Sequence, residues 1–292
     1  MGASFLITLR EGLEISIVLA ILIAYLVKTG RRRQLPLIWL GVGLAVGVSL
    51  AFGAALTFGP KGLSFQAQEI IGGSLSILAV GLVTWMIFWM ASASRTLATD
   101  LRGQLEAAQA KPWSLPLIAA LAVGREGLET ALFVWAATKS AVGDGGLATE
   151  PLVGALIGIA IAVALGYLIY AGAVRINLSR FFAITGGFLI VVAAGVLAYG
   201  VHDLQEAGVL PGLTTLAFDV SAQVPPGSVL GTLLKGIFNF SPAATVLEVV
   251  VWVAYVATVG TLFVRRVTRP APPAAPPVPT SPEPVSHTSV AA

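Results

Sequence analysis

The sequence contains the stretch LREGLE at residues 9–14 and, 115 residues later, the similar stretch GREGLE at residues 124–129. Each stretch lies inside an apolar run long enough to cross a bilayer, which takes about 20 residues of α-helix. A charged side chain at the centre of a spanning helix costs about 2.5–3.5 kcal/mol on insertion. Six such groups are tolerable only where they face one another or water. We therefore expect both stretches to face a common site between helices.

Apolar runs recur along the chain and predict seven membrane-spanning helices. The chain is 57% hydrophobic and only 11% charged, whereas soluble domains carry about 25% charged residues. The Pro-rich stretch 270–292 has little to pack and is predicted to be a disordered cytoplasmic tail. The sequence thus predicts an all-α polytopic membrane protein with a permease domain at residues 1–269. The predicted spans lie near residues 4–27, 37–58, 68–90, 116–138, 152–174, 181–200 and 242–264.

The sequence also repeats itself at a second place. IGGSLSILAVGLV at residues 71–83 resembles TGGFLIVVAAGVL at residues 185–197, an offset of 114. A chance similarity of two glycine-rich apolar stretches is the alternative. Two matches at nearly one offset favour a three-helix unit used twice, about 1–91 and about 116–200, with the helix at 242–264 as an extra. Because three is odd, the two copies would be inverted in the membrane, a transporter signature.

Basic residues are distributed unevenly between the two sides. Twelve follow the odd-numbered spans, whereas the opposite loops hold three. By the positive-inside rule, this bias predicts an N-terminus outside and a C-terminus in the cytoplasm. The twelve are Lys28, Arg31, Arg32, Arg33, Arg95, Arg102, Lys111, Arg175, Arg180, Arg265, Arg266 and Arg269, and the three are Lys61, Lys139 and Lys235.

The composition narrows the possible chemistry. The absence of cysteine excludes disulfides and iron–sulfur clusters, and two histidines, His202 and His287, are too few for a polyhistidine centre. Oxygen must therefore supply most ligands of any metal. The pI near 9.4 does not indicate nucleic-acid binding, because the basic residues lie between apolar runs. We expect membrane lipid, and no nucleic acid, as a partner.

The charged residues of each motif share one helix face. Arg10 and Glu14 are four residues apart and Glu11 and Glu14 three apart, so their side chains are neighbours. One interpretation is that each arginine only neutralises its glutamates and joins two helices. Four carboxylates and two arginines leave a formal charge of −2, however, which favours a bound hard cation. The glycines inside the motifs, Gly12 and Gly127, permit either close helix approach or backbone distortion.

Further segments carry a family resemblance. The paired REGLE motifs, TWMIFWM (84–90), LQEAGVLP (204–211) and LLKGIFNFSP (233–242) resemble the oxidase-dependent iron permeases. That family includes the fungal high-affinity iron permease and the bacterial ferrous-iron uptake permease, and the resemblance covers roughly residues 1–265.

The resemblance implies a seven-helix plasma-membrane permease with iron, Fe²⁺ or Fe³⁺, as cargo and no tightly bound cofactor. It implies an extracytoplasmic partner such as an iron oxidase, a peroxidase or an iron-binding protein. The matching positions make Glu11, Glu14, Glu126 and Glu129 the metal-handling residues, with Arg10 and Arg125 supporting them.

Three other residues are possible accessory groups. Glu69 begins the third span and is either an acidic entry residue or a carboxylate in interfacial water. Glu248 is expected inside the seventh span, about two turns from its outer end, and His202 is expected at the end of the sixth. Acidic residues in the outer loops would attract cations, and LLKGIFNF (233–240) could form an interfacial helix. These loop residues are Asp144, Glu150, Asp203, Glu206 and Asp219.

Two alternatives to iron transport remain open. A permease for another cation, such as lead or manganese, would use the same oxygen ligands. An intramembrane enzyme would need clustered histidines or a nucleophile–base pair. With His202 as the one histidine outside the tail, the sequence favours a transporter over an enzyme.

Overall fold

The computed structural model describes residues 2–93, 114–142, 149–172, 177–225, 228, 231, 234–235 and 240–268. The described residues form seven long α-helices, which confirms the predicted all-α architecture. They are α1 (Gly2–Lys28), α2 (Leu35–Phe58), α3 (Phe65–Ala93), α4 (Ser114–Val142), α5 (Thr149–Tyr170), α6 (Leu178–Glu206) and α7 (Val246–Thr268). The tail at 270–292 lies outside the described residues, as do five of the eight residues of the proposed interfacial helix at 233–240.

Five of these helices, α2, α3, α5, α6 and α7, are long and apolar enough to cross a membrane. The other two, α1 and α4, have 27 and 29 residues, so they are also long enough. They fall short on composition because each carries the three charged residues of its motif and a lysine. Large apolar side chains such as Leu50, Leu156 and Val253 are exposed on the outside of the bundle, the pattern expected of a polytopic membrane protein.

The ends of α6 and α7 differ from the prediction. Helix α6 continues past residue 200 to Glu206, and it ends where Gly208 takes a left-handed conformation (φ +75°). The Val209 amide then donates to the Leu204 carbonyl at 2.9 Å, the bond that closes a Schellman cap. Helix α7 begins at Val246 rather than residue 242, because residues 243–245 form a strand.

A two-stranded β-ribbon precedes α7 and is not predicted by the sequence. Strand β1 (Leu216–Asp219) pairs antiparallel with β2 (Ala243–Thr245), with Phe218 opposite Ala244. Strand β1 is exposed along its whole length. The ribbon places the start of α7 beside the end of α6, which brings His202 and Glu248 together.

The helices pack in pairs that cross the two halves of the chain. Helix α1 packs mainly on α5, α2 on α4, and α3 on α6, while α1 and α4 contact each other directly and α7 lies against α6. If α1, α2 and α3 are exchanged with α4, α5 and α6, the four pairs α1–α5, α2–α4, α3–α6 and α1–α4 are unchanged. A two-fold relation between the halves would produce such a set.

The motif glycines lie at close helix contacts. A Cβ atom added at Gly12 would lie 2.7 Å from the Ala162 Cβ on α5, and one added at Gly127 would overlap the Ser49 hydroxyl on α2. Both α1 and α4 continue as unbroken α-helix through their motifs. Of the two roles left open by the sequence, the structure therefore shows close approach rather than backbone distortion.

The main apolar core lies between α1, α3, α4 and α6. It contains buried side chains from all four helices, including Ile7, Met86, Phe133 and Val192. Phe263 of α7 closes one side of this core. The core lies beside the contact of α1 and α4, where Arg10, Glu11 and Glu126 are buried.

Candidate metal centre

Three motif carboxylates converge where α1 meets α4. Glu11 comes from α1, and Glu126 and Glu129 come from α4, where their spacing of three residues places them on one helix face. One carboxylate oxygen of each lies within 4.8 Å of the other two, and Glu11 and Glu126 are buried. Glu14 is not a member of this group of three. The structure thus brings together three of the four predicted metal-handling glutamates.

Arg10 is enclosed by its own motif and by two neighbouring helices. Its side chain is 1% exposed, and Nη1 donates to Glu11 Oε1 at 2.9 Å while Nη2 lies 3.4 Å from Glu14 Oε1. Nη1 also contacts Met86 Sδ at 2.8 Å, and the guanidinium carbon lies 5.6 Å from the ring centre of Phe182. These contacts fix the position of the Arg10 guanidinium. Glu14 is paired with Arg10 and is not part of the group of three carboxylates.

Arg125 has the same position in its motif but a different environment. Its side chain is 36% exposed, and Nε donates to Glu129 Oε1 at 3.0 Å and lies 3.9 Å from Glu126 Oε1. Its guanidinium carbon is 4.3 Å from the ring centre of Trp89 and 5.8 Å from that of Trp85. The two motif arginines are therefore not equivalent: one is buried and the other lies at an accessible edge against tryptophan rings.

The charges of the centre do not cancel. Four glutamates and two arginines leave a formal charge of −2 in a largely buried place. Among the described residues, Glu11 Oε2 and Glu129 Oε2 are buried oxygens with no hydrogen-bond partner. Unpaired buried acceptors cost about 1–3 kcal/mol each, and more when charged. A hard cation bound by carboxylate oxygens would satisfy both oxygens and reduce the excess charge.

A narrow cavity leads from Glu11 into the apolar core. Its volume is about 20 Å³, which is room for about one water molecule. Glu11 is the one charged residue among its described lining residues, and the rest are apolar side chains of α1, α3, α4 and α6. The carboxylate group thus adjoins a small cavity that is otherwise lined by apolar side chains.

His202 and Glu248 form a pair beside the β-ribbon. His202 Nδ1 lies 2.8 Å from Glu248 Oε1, and its Nε2 lies 3.4 Å from Glu206 Oε1. The prediction that Glu248 lies two turns inside the last span is wrong, because α7 begins at Val246 and Glu248 is in its first turn. Thr245 accepts from the Glu248 amide at 3.3 Å, and Glu248 Oε1 accepts from the Thr245 amide at 3.4 Å, which makes a capping box.

Glu69 does not lie in interfacial water, one of the two environments considered above. It is 1% exposed rather than placed in interfacial water, and its Oε2 lies 3.7 Å from Lys139 Nζ. Lys139 also binds Asp203 Oδ2 at 2.9 Å. The sequence places Lys139 and Asp203 in outer loops, whereas both lie in the last turns of helices, α4 and α6.

The residues that hold the motif arginines are not predicted as site residues. Met86 and Trp89 both belong to TWMIFWM, a segment noted for its resemblance, and Phe182 is near the start of α6. The signal in the sequence is the spacing of three residues between Met86 and Trp89, which places both on one side of α3. Nothing in the sequence indicates that Met86 contacts Arg10 and that Trp89 contacts Arg125.

Comparison with known proteins gives one family. The model of the iron permease FTR1 family matches residues 1–268. The ferrous iron permease EfeU of Escherichia coli O6:H1 is 37% identical over 256 residues, which cover 86% of this chain and 91% of that protein. EfeU of Yersinia pestis is 34% identical over 256 residues, covering 86% of this chain and 89% of that protein. No solved structure matches the chain.

Proposed function

This chain belongs to the iron permease FTR1 family, and on that premise we propose that it moves iron ions across the plasma membrane into the cell. Its family is one of transporters rather than enzymes, and its relatives in Escherichia and Yersinia are named ferrous iron permeases. The observation that carries the proposal is the group formed by Glu11, Glu126 and Glu129. Three carboxylates from two helices within 4.8 Å of one another are a suitable set of oxygen ligands.

In this proposal, iron is the substrate and the motif carboxylates bind it in transit near the membrane midplane. Glu11 supplies a ligand from α1, and Glu126 and Glu129 supply ligands from α4, so the ion would join the two halves of the protein. Arg10 holds the Glu11 carboxylate in position from one side and also forms an ion pair with Glu14. Arg125 orients Glu129 through a 3.0 Å bond. The carboxylate oxygens replace water around the ion, which lowers the cost of its crossing an apolar core.

We also propose that the two halves are inverted repeats with the binding group between them. The main helix pairs stay the same when α1–α3 are exchanged with α4–α6, which supports this relation. Gly12 and Gly127 also lie at equivalent contacts, with α5 and α2 respectively. The bias of basic residues supports an external N-terminus and a cytoplasmic C-terminus. The exposed apolar faces of α2, α5 and α7 would then contact lipid. An extracytoplasmic iron oxidase, peroxidase or iron-binding protein is proposed from the family resemblance alone.

The test is uptake of labelled iron by cells that lack their other iron importers, normalised to the amount of protein in the membrane. Glu126→Gln keeps the size of the side chain and removes its charge, so uptake per molecule should fall severely. Glu150→Gln is the matched control, because Glu150 is exposed in the first turn of α5. If the motif only joins helices, Glu126→Gln would reduce the amount of protein and leave uptake per molecule intact.

A further inference from the structure

A large cavity lies at the end of the bundle where α6 ends and α7 begins. Its volume is about 600 Å³, within the range of about 300–1,000 Å³ that is usual for small-molecule sites. Its described lining residues come mainly from α6, α7, the β-ribbon and the segment between the two strands, and none belongs to a REGLE motif. We call it the ribbon cavity.

The ribbon cavity follows one face of α6. Gly195, Ala198, Tyr199 and His202 line it, and this spacing keeps to a single side of a helix. From His202 to Gly195 is seven residues, which is about 10 Å along the helix axis. The cavity therefore extends about two turns along α6, from the ribbon toward the middle of the bundle.

The walls of the cavity change from polar to apolar along this length. His202, Lys235 and Glu248 lie at the ribbon end, whereas Ala198 and Val253 lie further along the helices. Val253 is 52% exposed on the outside of the bundle, so the apolar part adjoins the surface that would face lipid. Water there would lack the two to four polar partners that a buried water molecule needs. An amphipathic ligand fits such walls better than water does.

The charges at the ribbon end favour an anionic ligand. Glu248 is 5% exposed, lies 2.8 Å from His202 Nδ1 and accepts from the Thr245 hydroxyl at 3.0 Å. Its charge is thus already engaged within the protein. Lys235 is half-buried and forms no ion pair with another described residue. Its ammonium is therefore available to an anion, and basic pockets between membrane helices bind anionic lipid headgroups.

Aromatic side chains surround the polar end. Phe218 of β1 stacks on Phe240, with ring centres 6.1 Å apart and ring planes 11° apart. Both rings line the cavity, together with Tyr199 of α6 and Trp252 of α7. Tryptophan and tyrosine are enriched at the level of lipid headgroups. The polar end of the cavity therefore matches the headgroup level, and the apolar end matches the acyl chains.

We propose that the ribbon cavity binds one anionic phospholipid from the leaflet at this end of the bundle. Its phosphate contacts Lys235, and one acyl chain lies along Ala198, Val249 and Val253. The bound lipid joins the β-ribbon to α6 and α7 and stabilises this end of the protein. The proposal concerns a site separate from the motif carboxylates and does not depend on which ion they bind.

The first test measures the choice of headgroup. The full chain, purified in a neutral detergent, is titrated with phosphatidylglycerol or with phosphatidylcholine of the same acyl chains, and native mass spectrometry counts the bound lipid. One lysine at the membrane surface corresponds to about a fivefold gain in affinity, so the first phosphatidylglycerol should bind about fivefold more tightly. Lys235→Gln should abolish this preference and Lys235→Arg should keep it. Lys28→Gln is the control, because Lys28 is exposed at the end of α1.

The second test fills the apolar part of the cavity. Ala198→Phe places a ring where the acyl chain would lie, so the tightly bound lipid should be lost whatever its headgroup. Val253→Phe tests the same space from the lipid-facing wall. Val264→Phe is the control, because Val264 is 58% exposed on the same helix and is not a lining residue. Phosphatidylglycerol should also raise the Tm of the wild type but not that of Ala198→Phe.

The proposal is overturned if the wild type binds the two lipids equally, or if Lys235→Gln keeps the preference for phosphatidylglycerol. Lipid affinity equal to that of the wild type in folded Ala198→Phe and Val253→Phe would also overturn it. If neither of these two variants accumulates, the result for Lys235→Gln decides. Loss or retention of iron uptake in Glu126→Gln bears on the proposed function alone, so the two proposals fail separately.

Discussion

Removing the side chain of Arg10 should destabilise the protein far more than removing that of Arg125, although both open the same five-residue motif. The structure gives the reason. Arg10 is 1% exposed and holds Glu11 and Glu14, so Arg10→Met leaves two buried carboxylates without their cation. Removing one partner of a buried ion pair costs about 3–5 kcal/mol.

Removing the Arg125 side chain should reduce the stability less, because that side chain is 36% exposed. A solvent-screened ion pair contributes up to about 1 kcal/mol, and the stacking of its guanidinium on Trp89 contributes about 0.5–2 kcal/mol. Arg125→Met should therefore cost about 1–2 kcal/mol. The difference between the two variants is about 2 kcal/mol, a factor of about 30 in the unfolding equilibrium.

The assay is the free energy of unfolding of the purified, metal-free protein in one detergent, measured for both variants and the wild type. Arg180→Met is the control, since Arg180 is exposed at the start of α6 and such changes usually stay within about 0.5 kcal/mol. Equal losses in the two variants, or a larger loss for Arg125→Met, would refute the distinction between a fixed and an accessible arginine.

Two further outcomes concern helix contacts and caps. Gly127→Ala should cost about 1–3 kcal/mol through overlap with Ser49, and Ser49→Gly in the same chain should recover most of it. Gly124→Ala should cost nothing, since its Cβ would lie 3.7 Å from Ala45 Cβ; equal effects at the two glycines would exclude the close contact. Thr245→Val should cost about 1–2 kcal/mol by removing the cap of α7, measured as above. If Glu248→Gln, which keeps the accepting oxygen, costs as much, the ion pair with His202 outweighs the cap.

The helices could be predicted from the sequence because each contains an apolar run of membrane length. Their ends depend on local signals that hydrophobicity does not report. The Gly208 that ends α6 and the Thr245–Glu248 capping box that starts α7 are readable in the sequence, as a glycine after a helix and a threonine three residues before a glutamate. Applied to HDLQEAG and TVLE, these rules would have placed Glu248 in the first turn of α7.

Of the candidate site, only the residues of the two motifs could be predicted from the sequence. The shared helix face of Glu11 and Glu14, and the need for both motifs to meet, follow from spacing and from the cost of membrane charges. The difference in burial between Arg10 and Arg125 does not follow from the sequence, because it depends on their contacts with Met86, Phe182 and Trp89 on other helices.

The central claim is that the motif carboxylates of both halves hold the iron. Its most direct test is an iron anomalous-scattering map of crystals of the protein loaded with Fe²⁺ under anaerobic conditions. We predict a peak at coordinating distance from Glu11 of α1 and from Glu126 and Glu129 of α4, with Arg10 still bound to Glu14. Iron bound to the protein with none of these three carboxylates as a ligand would contradict the account.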